Sequence, residues 1–281
     1  MTLDAAQPTC DRPRLGPDCF APTADPDAYV PRLATERALR ALEDAVLTGP
    51  DPILLQGVGG LGKTLLMRVL AGRLNDRLES VYLPFPTLSR SDLCAMALGL
   101  LDRPAAGDPE ERLVAAAESL QAGGSGLLLL VDDAGSLPAD SARGLASLAH
   151  ASDGALRMVL AVEDDASVER LNAAAGRRLP IVHLGGPMSA GETGQYVRRR
   201  LGRLLGREAA RRIEPAAIAE IHRASEGVPR RVHAVIDRLR LRVDWPQAGR
   251  SPARSEPEAS EVEQLRRSTA MAWRVRLGSA S

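Results

Sequence analysis

The chain has 281 residues, and its 36 basic side chains balance 36 acidic ones, so net charge gives no global pull towards nucleic acid or acidic lipid. A 44% apolar content is enough for a real core and excludes a wholly disordered chain, while seven aromatic residues are too few for a platform that stacks single-stranded bases. Of the 36 bases one is a lysine, Lys63, and 35 are arginine. The longest apolar run, Leu93 to Leu98, falls far short of the roughly 20 residues of a membrane span. The first thirty residues carry Pro8, Pro13, Pro17, Pro22 and Pro26 with scattered acids instead of a secretory pattern, so the expected location is cytoplasmic. Cys10, Cys19 and Cys94 lack metal-ligand spacing and read as small packing residues.

Residues 1–27, rich in proline and aspartate without periodicity, read as an extended arm. Apolar residues at helical spacing predict a helix from Arg32 to Leu47. Ile53 to Gln56 then forms a short strand ending at a glycine cluster, and helical spacing resumes from Leu65 to Leu74. Val81 to Phe85 is a second strand, Leu93 to Leu101 and Leu113 to Leu120 are helical, and Gly126 to Val131 is a buried strand. Two more strands, Leu156 to Val162 and Ile181 to Leu184, flank a helix near Ser167 to Ala175. Strand and helix in alternation predict an α/β domain over residues 28–186, a parallel sheet with helices on both faces. After Pro187 the strand signal stops. Ser189 followed by Glu192 is a capping box that opens a helix to about Leu205, and helices Pro215 to Ala224 and Val228 to Leu241 follow, parted by Gly227 and Pro229. Residues 187–243 are therefore a small all-helical domain, and 244–281 a tail with one possible helix over Val262 to Val275. Between Arg198 and Arg242 thirteen arginines face five acids, a basic third inside a neutral whole.

The string Gly57-Val58-Gly59-Gly60-Leu61-Gly62-Lys63-Thr64 sits between a predicted strand and a predicted helix that continues at Leu65. That is the context of a phosphate-binding loop: glycines let successive N–H groups turn inward, the helix N-terminus adds positive potential, Lys63 addresses the β and γ phosphates, and Thr64 ligates Mg2+. Leu127 to Asp133 is a buried strand ending in two carboxylates. Asp132 is placed to hold the metal and Asp133 to polarise an attacking water. ATP and Mg2+ are the expected ligands.

With both motifs in hand, RRLPIVHLGGPMSAGETGQYVRRRL and IHRASEGVPRRVHAVIDRLRL resemble the AAA+ ATPases of the general secretion pathway protein A type, relatives of transposition helper ATPases and, more distantly, of Orc/Cdc6 initiators. The resemblance runs from about Phe20 to Leu241 and includes the lead-in DPDAYVPRLATERALRALEDAV. It implies a P-loop NTPase whose nucleotide lies between an α/β domain and a helical lid, and whose ATP cycle drives assembly or remodelling of a partner complex. It also implies a sensor-2 arginine at Arg230, with Arg231 beside it, and an arginine finger for a neighbouring subunit at Arg177 or Arg178. A nucleotide-dependent homo-oligomer and an unidentified protein partner follow from the same resemblance.

The chain departs from that pattern at three places. Asp133 stands where the family has glutamate, and Gly135 where it has glutamine. Aspartate is one methylene shorter, and a misplacement of about 1 Å costs roughly 10²-fold, so hydrolysis is expected to be slow. Val162 and Glu163 replace the glycine and amide that end the family's sensor-1 strand, followed by Asp164 and Asp165, and an acid there would repel the γ phosphate. Neither the transmembrane helix nor the cell-wall-binding domain of the secretion members follows. Two further readings stay open, a nucleotide-regulated DNA-binding protein that uses the arginine-rich lid, and a STAND-type signalling ATPase with a similar phosphate loop.

Overall fold

Alternate residues of each strand bury themselves on opposite sides of one sheet, and that alternation organises the first two thirds of the chain. The computed structural model describes residues 24–240 except 85–86, 104–106 and 212, so the arm up to residue 23, Cys10, Cys19 and everything from 241 on lie outside the described residues. Strands β1 (Ile53–Gln56), β2 (Glu79–Leu83), β3 (Leu127–Val131), β4 (Leu156–Val162) and β5 (Ile181–His183) form a parallel sheet in the order β2-β3-β4-β1-β5. Leu128, Leu130, Val159 and Ala161 face one core with Leu39 and Leu42 of helix α1 (Leu33–Thr48) and Leu66 and Leu70 of α2 (Lys63–Leu74). Leu129, Val131, Met158 and Leu160 face the other. That second core is covered by α3 (Arg90–Leu100), α4 (Pro109–Ala122), α5 (Ala139–Ala151) and α6 (Asp165–Ala175). The expected sheet with helices on both faces is present, and β3 is buried at every position because each of its residues meets a helix layer.

Helix α5 is an addition to the elements named from sequence. Its buried face is Ser141, Ala142, Gly144, Leu145, Ala146 and Ala149, with Leu145 the one large apolar side chain among them. The Arg90 side chain lies across Gly144, where a Cβ would push it aside. Other limits shift by a few residues. Helix α2 begins at Lys63 instead of Leu65, since Gly62, at φ +99°, is its N-cap. Asp25 caps a short 3-10 turn at Pro26–Ala28, so the end of the expected arm is ordered.

The helical region comprises α7 (Ala190–Leu205), α8 (Arg207–Arg211), α9 (Pro215–Ser225) and α10 (Pro229–Arg240) around its own core of Val197, Leu201, Ile218, Ile221, Val232 and Ile236. The five-residue α8 is a further addition to the predicted helices. The capping box forms as the sequence predicts: Ser189 N donates to Glu192 Oε2 at 2.9 Å, and Glu192 N to Ser189 Oγ at 3.3 Å. Gly227 takes φ +71°, and Met188 N donates to its carbonyl at 2.8 Å. A Cβ on Gly227 would strike the Met188 carbonyl, so the entry to α7 and the turn before α10 touch backbone to backbone.

Candidate functional site

In a parallel sheet the loops at the carboxyl ends of the strands share one edge, where ligands bind. Here the Gly57 to Gly62 loop follows β1, Asp132 follows β3 and Glu163 follows β4. Gly57 N donates to Val162 O at 3.1 Å, which ties the start of the loop to the end of β4. Gly60 at φ +84° and Gly62 at φ +99° occupy the left-handed region that side chains disfavour. Leu61 is buried and anchors the loop in the α1–α2 core, whereas Val58 is 61% exposed at the tip and Leu65 is half-buried behind it.

Four side chains converge at the loop, in two pairs. Lys63, 8% exposed, donates from Nζ to Gly57 O at 2.7 Å and lies 3.2 Å from Glu163 Oε1. Thr64 Oγ1 donates to Asp132 Oδ2 at 2.6 Å, joining the residue that follows the loop to the end of β3. The same carboxylate oxygen accepts from Tyr82 Oη at 2.7 Å, and Asp132 Oδ1 accepts from Asp133 N at 3.0 Å. Burial, and then the bond to Asp132, pushes the Tyr82 phenol up to about 12, so it remains a donor. The Arg68 guanidinium stacks over the Tyr82 ring, 4.6 Å from its centroid. Glycine backbone, a buried ammonium and a hydroxyl–carboxylate pair fit a nucleoside polyphosphate with Mg2+, which Thr64 and Asp132 would share.

Asp133 is exposed in the left-handed region at φ +47°, and its carboxylate accepts from Ser136 Oγ at 2.9 Å in the turn Ala134–Ser136. Arg230 meets the loop through its backbone, since its N–H donates to Gly60 O at 3.2 Å while its side chain is exposed. Arg231 pairs with Glu226. Arg177 lies 2.7 Å from Asp51 Oδ1 and donates to Ala146 O at 3.4 Å, which spends it on packing near the amino end of β1. Arg178, its neighbour, is exposed. The arginines of the helical region are partly spent as well. Arg199 donates to Pro31 O at 3.3 Å, Arg200 to Ala28 O at 3.0 Å, and Arg203 to the carbonyls of Asp27 and Tyr29, so α7 clasps the lead-in segment.

Tyr82 and the pairing of Glu163 with Lys63 escaped the sequence reading. Glu163 stood out only as a departure from a motif, and Tyr82 reads as an ordinary strand aromatic.

The sheet order and the helix layers on both faces match the AAA+ P-loop NTPase fold. Residues 47–171 match the family described as an AAA domain. Among solved structures the chain is similar to the ORC2 protein of Aeropyrum pernix in its ADPNP–ADP complexes, at 14% identity and a TM-score of 0.60, covering 82% of this chain and 68% of that one. It is also similar to Cdc6p of Pyrobaculum aerophilum, at 18% identity and a TM-score of 0.59 over 82% of this chain and 66% of that one. The RuvB Holliday junction branch migration motor of Thermotoga maritima follows, at 21% identity and a TM-score of 0.51 over 81% and 69%. At these identities the likeness is one of fold. No curated protein sequence matches the chain. Among the described residues no helix is long and apolar enough to cross a membrane.

Proposed function

We propose that the chain is an ATP-binding, Mg2+-dependent ATPase that works as a slow switch, driving assembly or remodelling of a partner complex. The observation that carries this reading is the 2.6 Å contact between Thr64 Oγ1 and Asp132 Oδ2 beside the buried Lys63 ammonium, two motifs 68 residues apart brought to one point. In this reading the loop amides and Lys63 hold the phosphates, and Thr64 and Asp132 hold the metal. Asp133 polarises the attacking water once it leaves Ser136, and Arg230 reaches the nucleotide from the lid. Residues 28–186 serve as the nucleotide-binding domain and 187–243 as the lid. Arg178 is favoured over Arg177 as a finger for a neighbouring copy, because Arg177 is held by Asp51.

Steady-state turnover with Mg2+ tests this. Wild type should turn over slowly, Lys63→Ala should fall to background, and Asp133→Asn should lose roughly 10²-fold. Turnover per chain should rise with protein concentration, and Arg178→Ala should remove that rise. Wild-type turnover equal to that of Lys63→Ala, with nucleotide still tightly bound, would exclude hydrolysis from the function.

One observation favours a second reading, a DNA contact through the lid. Arg198, Arg199, Arg203 and Arg211 line a hollow of about 540 Å3, and the ORC1 protein of Aeropyrum pernix, similar in fold at 18% identity and a TM-score of 0.58, was solved in complex with DNA. Against it, Arg199 and Arg203 are spent on lead-in carbonyls. Several phosphate contacts would make affinity fall steeply between about 50 and 200 mM salt, and no binding at the low end would remove this reading.

A further inference from the structure

A buried ammonium needs oxygens to replace its water, and the two that Lys63 meets differ in kind. The Gly57 carbonyl belongs to the loop backbone and stays with it. The Glu163 carboxylate hangs from the turn after β4 on a side chain 59% exposed, able to rotate into water. It also rests against the loop itself: a Cβ on Gly59 would come within 3.0 Å of Glu163 Oε1 and 3.3 Å of Oε2. An anion on a movable side chain therefore covers both the ammonium and the strip of backbone that a phosphate loop offers to its ligand.

We infer that Glu163 is a built-in competitor of nucleotide phosphates, a carboxylate that must swing off Lys63 before the β and γ phosphates can take the ammonium. This role rests on the chain binding nucleotide. The lysine of a phosphate loop addresses the β and γ phosphates, and the carboxylate stands where added negative charge is least welcome. Neighbouring acids are otherwise engaged. Asp164 caps α6 by accepting from Ser167 N at 2.7 Å, and Asp165 Oδ1 accepts from Gln56 Nε2 at 2.6 Å. The competition weighs most on a triphosphate, which brings two phosphoryl groups to the ammonium, and less on a diphosphate, which brings one. Glu163 thus narrows the preference for ATP over ADP and sets a concentration threshold for loading.

Calorimetric titration of the full chain with Mg-ATP and Mg-ADP tests this on wild type, Glu163→Gln, Glu163→Ala and Asp165→Asn. Glu163→Gln should tighten ATP about tenfold and ADP about threefold, and Glu163→Ala, which removes the acceptor, should move the same way. Asp165→Asn, which removes a nearby charge without touching Lys63, should change either affinity less than about twofold. Wild type that binds ATP with an affinity neither Glu163 variant tightens overturns the role of Glu163 alone, as does equal tightening by Asp165→Asn. Failure of wild type and both Glu163 variants to bind ATP at millimolar concentration overturns the nucleotide reading itself.

Discussion

Strand β3 buries five consecutive apolar residues between two helix layers, whereas α7 in the lid places buried Thr193 and Arg200 beside buried Val197 and Leu201. The sheet region is closed by side chains with little to titrate. Its buried Cys94 has a thiol that burial pushes up to about 12, which keeps it neutral at physiological pH. The lid core contains His233, bonded through Nε2 to Tyr196 Oη at 2.7 Å and close in ring-to-ring stacking. The lid also meets the remainder of the fold through polar contacts, arginines on lead-in carbonyls, Arg32 Nε on Glu192 Oε1 and the Arg230 N–H on Gly60 O. The sheet region thus rests on bulk apolar burial, whereas the lid adds to a smaller apolar core a few directional bonds that a single change can remove.

A glycine pair gives the largest expected break between them. Gly227→Ala forces a Cβ into the Met188 backbone at a positive φ, and should cost the lid about 3 kcal/mol or more. Gly126→Ala in the sheet region meets the movable ends of Leu78 and Arg157, and should cost about 1 kcal/mol. Hydrogen exchange would separate them, with protection lost over α9 and α10 in the first variant and kept there in the second. Equal behaviour would dissolve the contrast.

Acid should act on the lid next. Burial, and then the Arg200 charge, lowers His233 to about 4 from its usual 6.5. The unfolded chain therefore binds the extra proton first. Lid stability is complete above about pH 6.5 and falls as the pH drops towards 4, by up to about 3 kcal/mol. Thermal midpoints at pH 8 and pH 5 should show that loss in wild type and a smaller one in His233→Gln. The smallest effect belongs to the sheet edge. Tyr82→Phe removes one of two donors to Asp132 Oδ2 and should cost about 1 kcal/mol of Mg-ATP affinity, while ATP without metal binds as before. Equal loss with and without Mg2+ would assign Tyr82 to packing instead.

The phosphate loop, the strand ending at Asp132 and the Ser189 capping box were legible because each is a local pattern of residue types tied to one backbone geometry. Helix α5 was not, because its buried face is built of alanine, serine and glycine around a single large apolar residue, Leu145. The Glu163 and Tyr82 contacts join residues 100 and 50 positions from their partners, and only the strand order β2-β3-β4-β1 brings those ends together. The arginines of α7 misled in the opposite direction. Composition showed a basic surface, but backbone carbonyls leave no mark in a sequence, and they consume three of those guanidinium groups.

Gly60 has a consequence for motion. Its carbonyl receives the Arg230 N–H at 3.2 Å, and its missing side chain leaves room for Arg230 Cβ and Val228 Cγ1, which a Cβ would approach to 3.0 and 3.1 Å. The peptide that would wrap a phosphate and the first turn of α10 are therefore one mechanical part. Tilting α10 would drag the loop peptide and reshaping the loop would lever α10, so a single bond joins the glycine loop to the helical region.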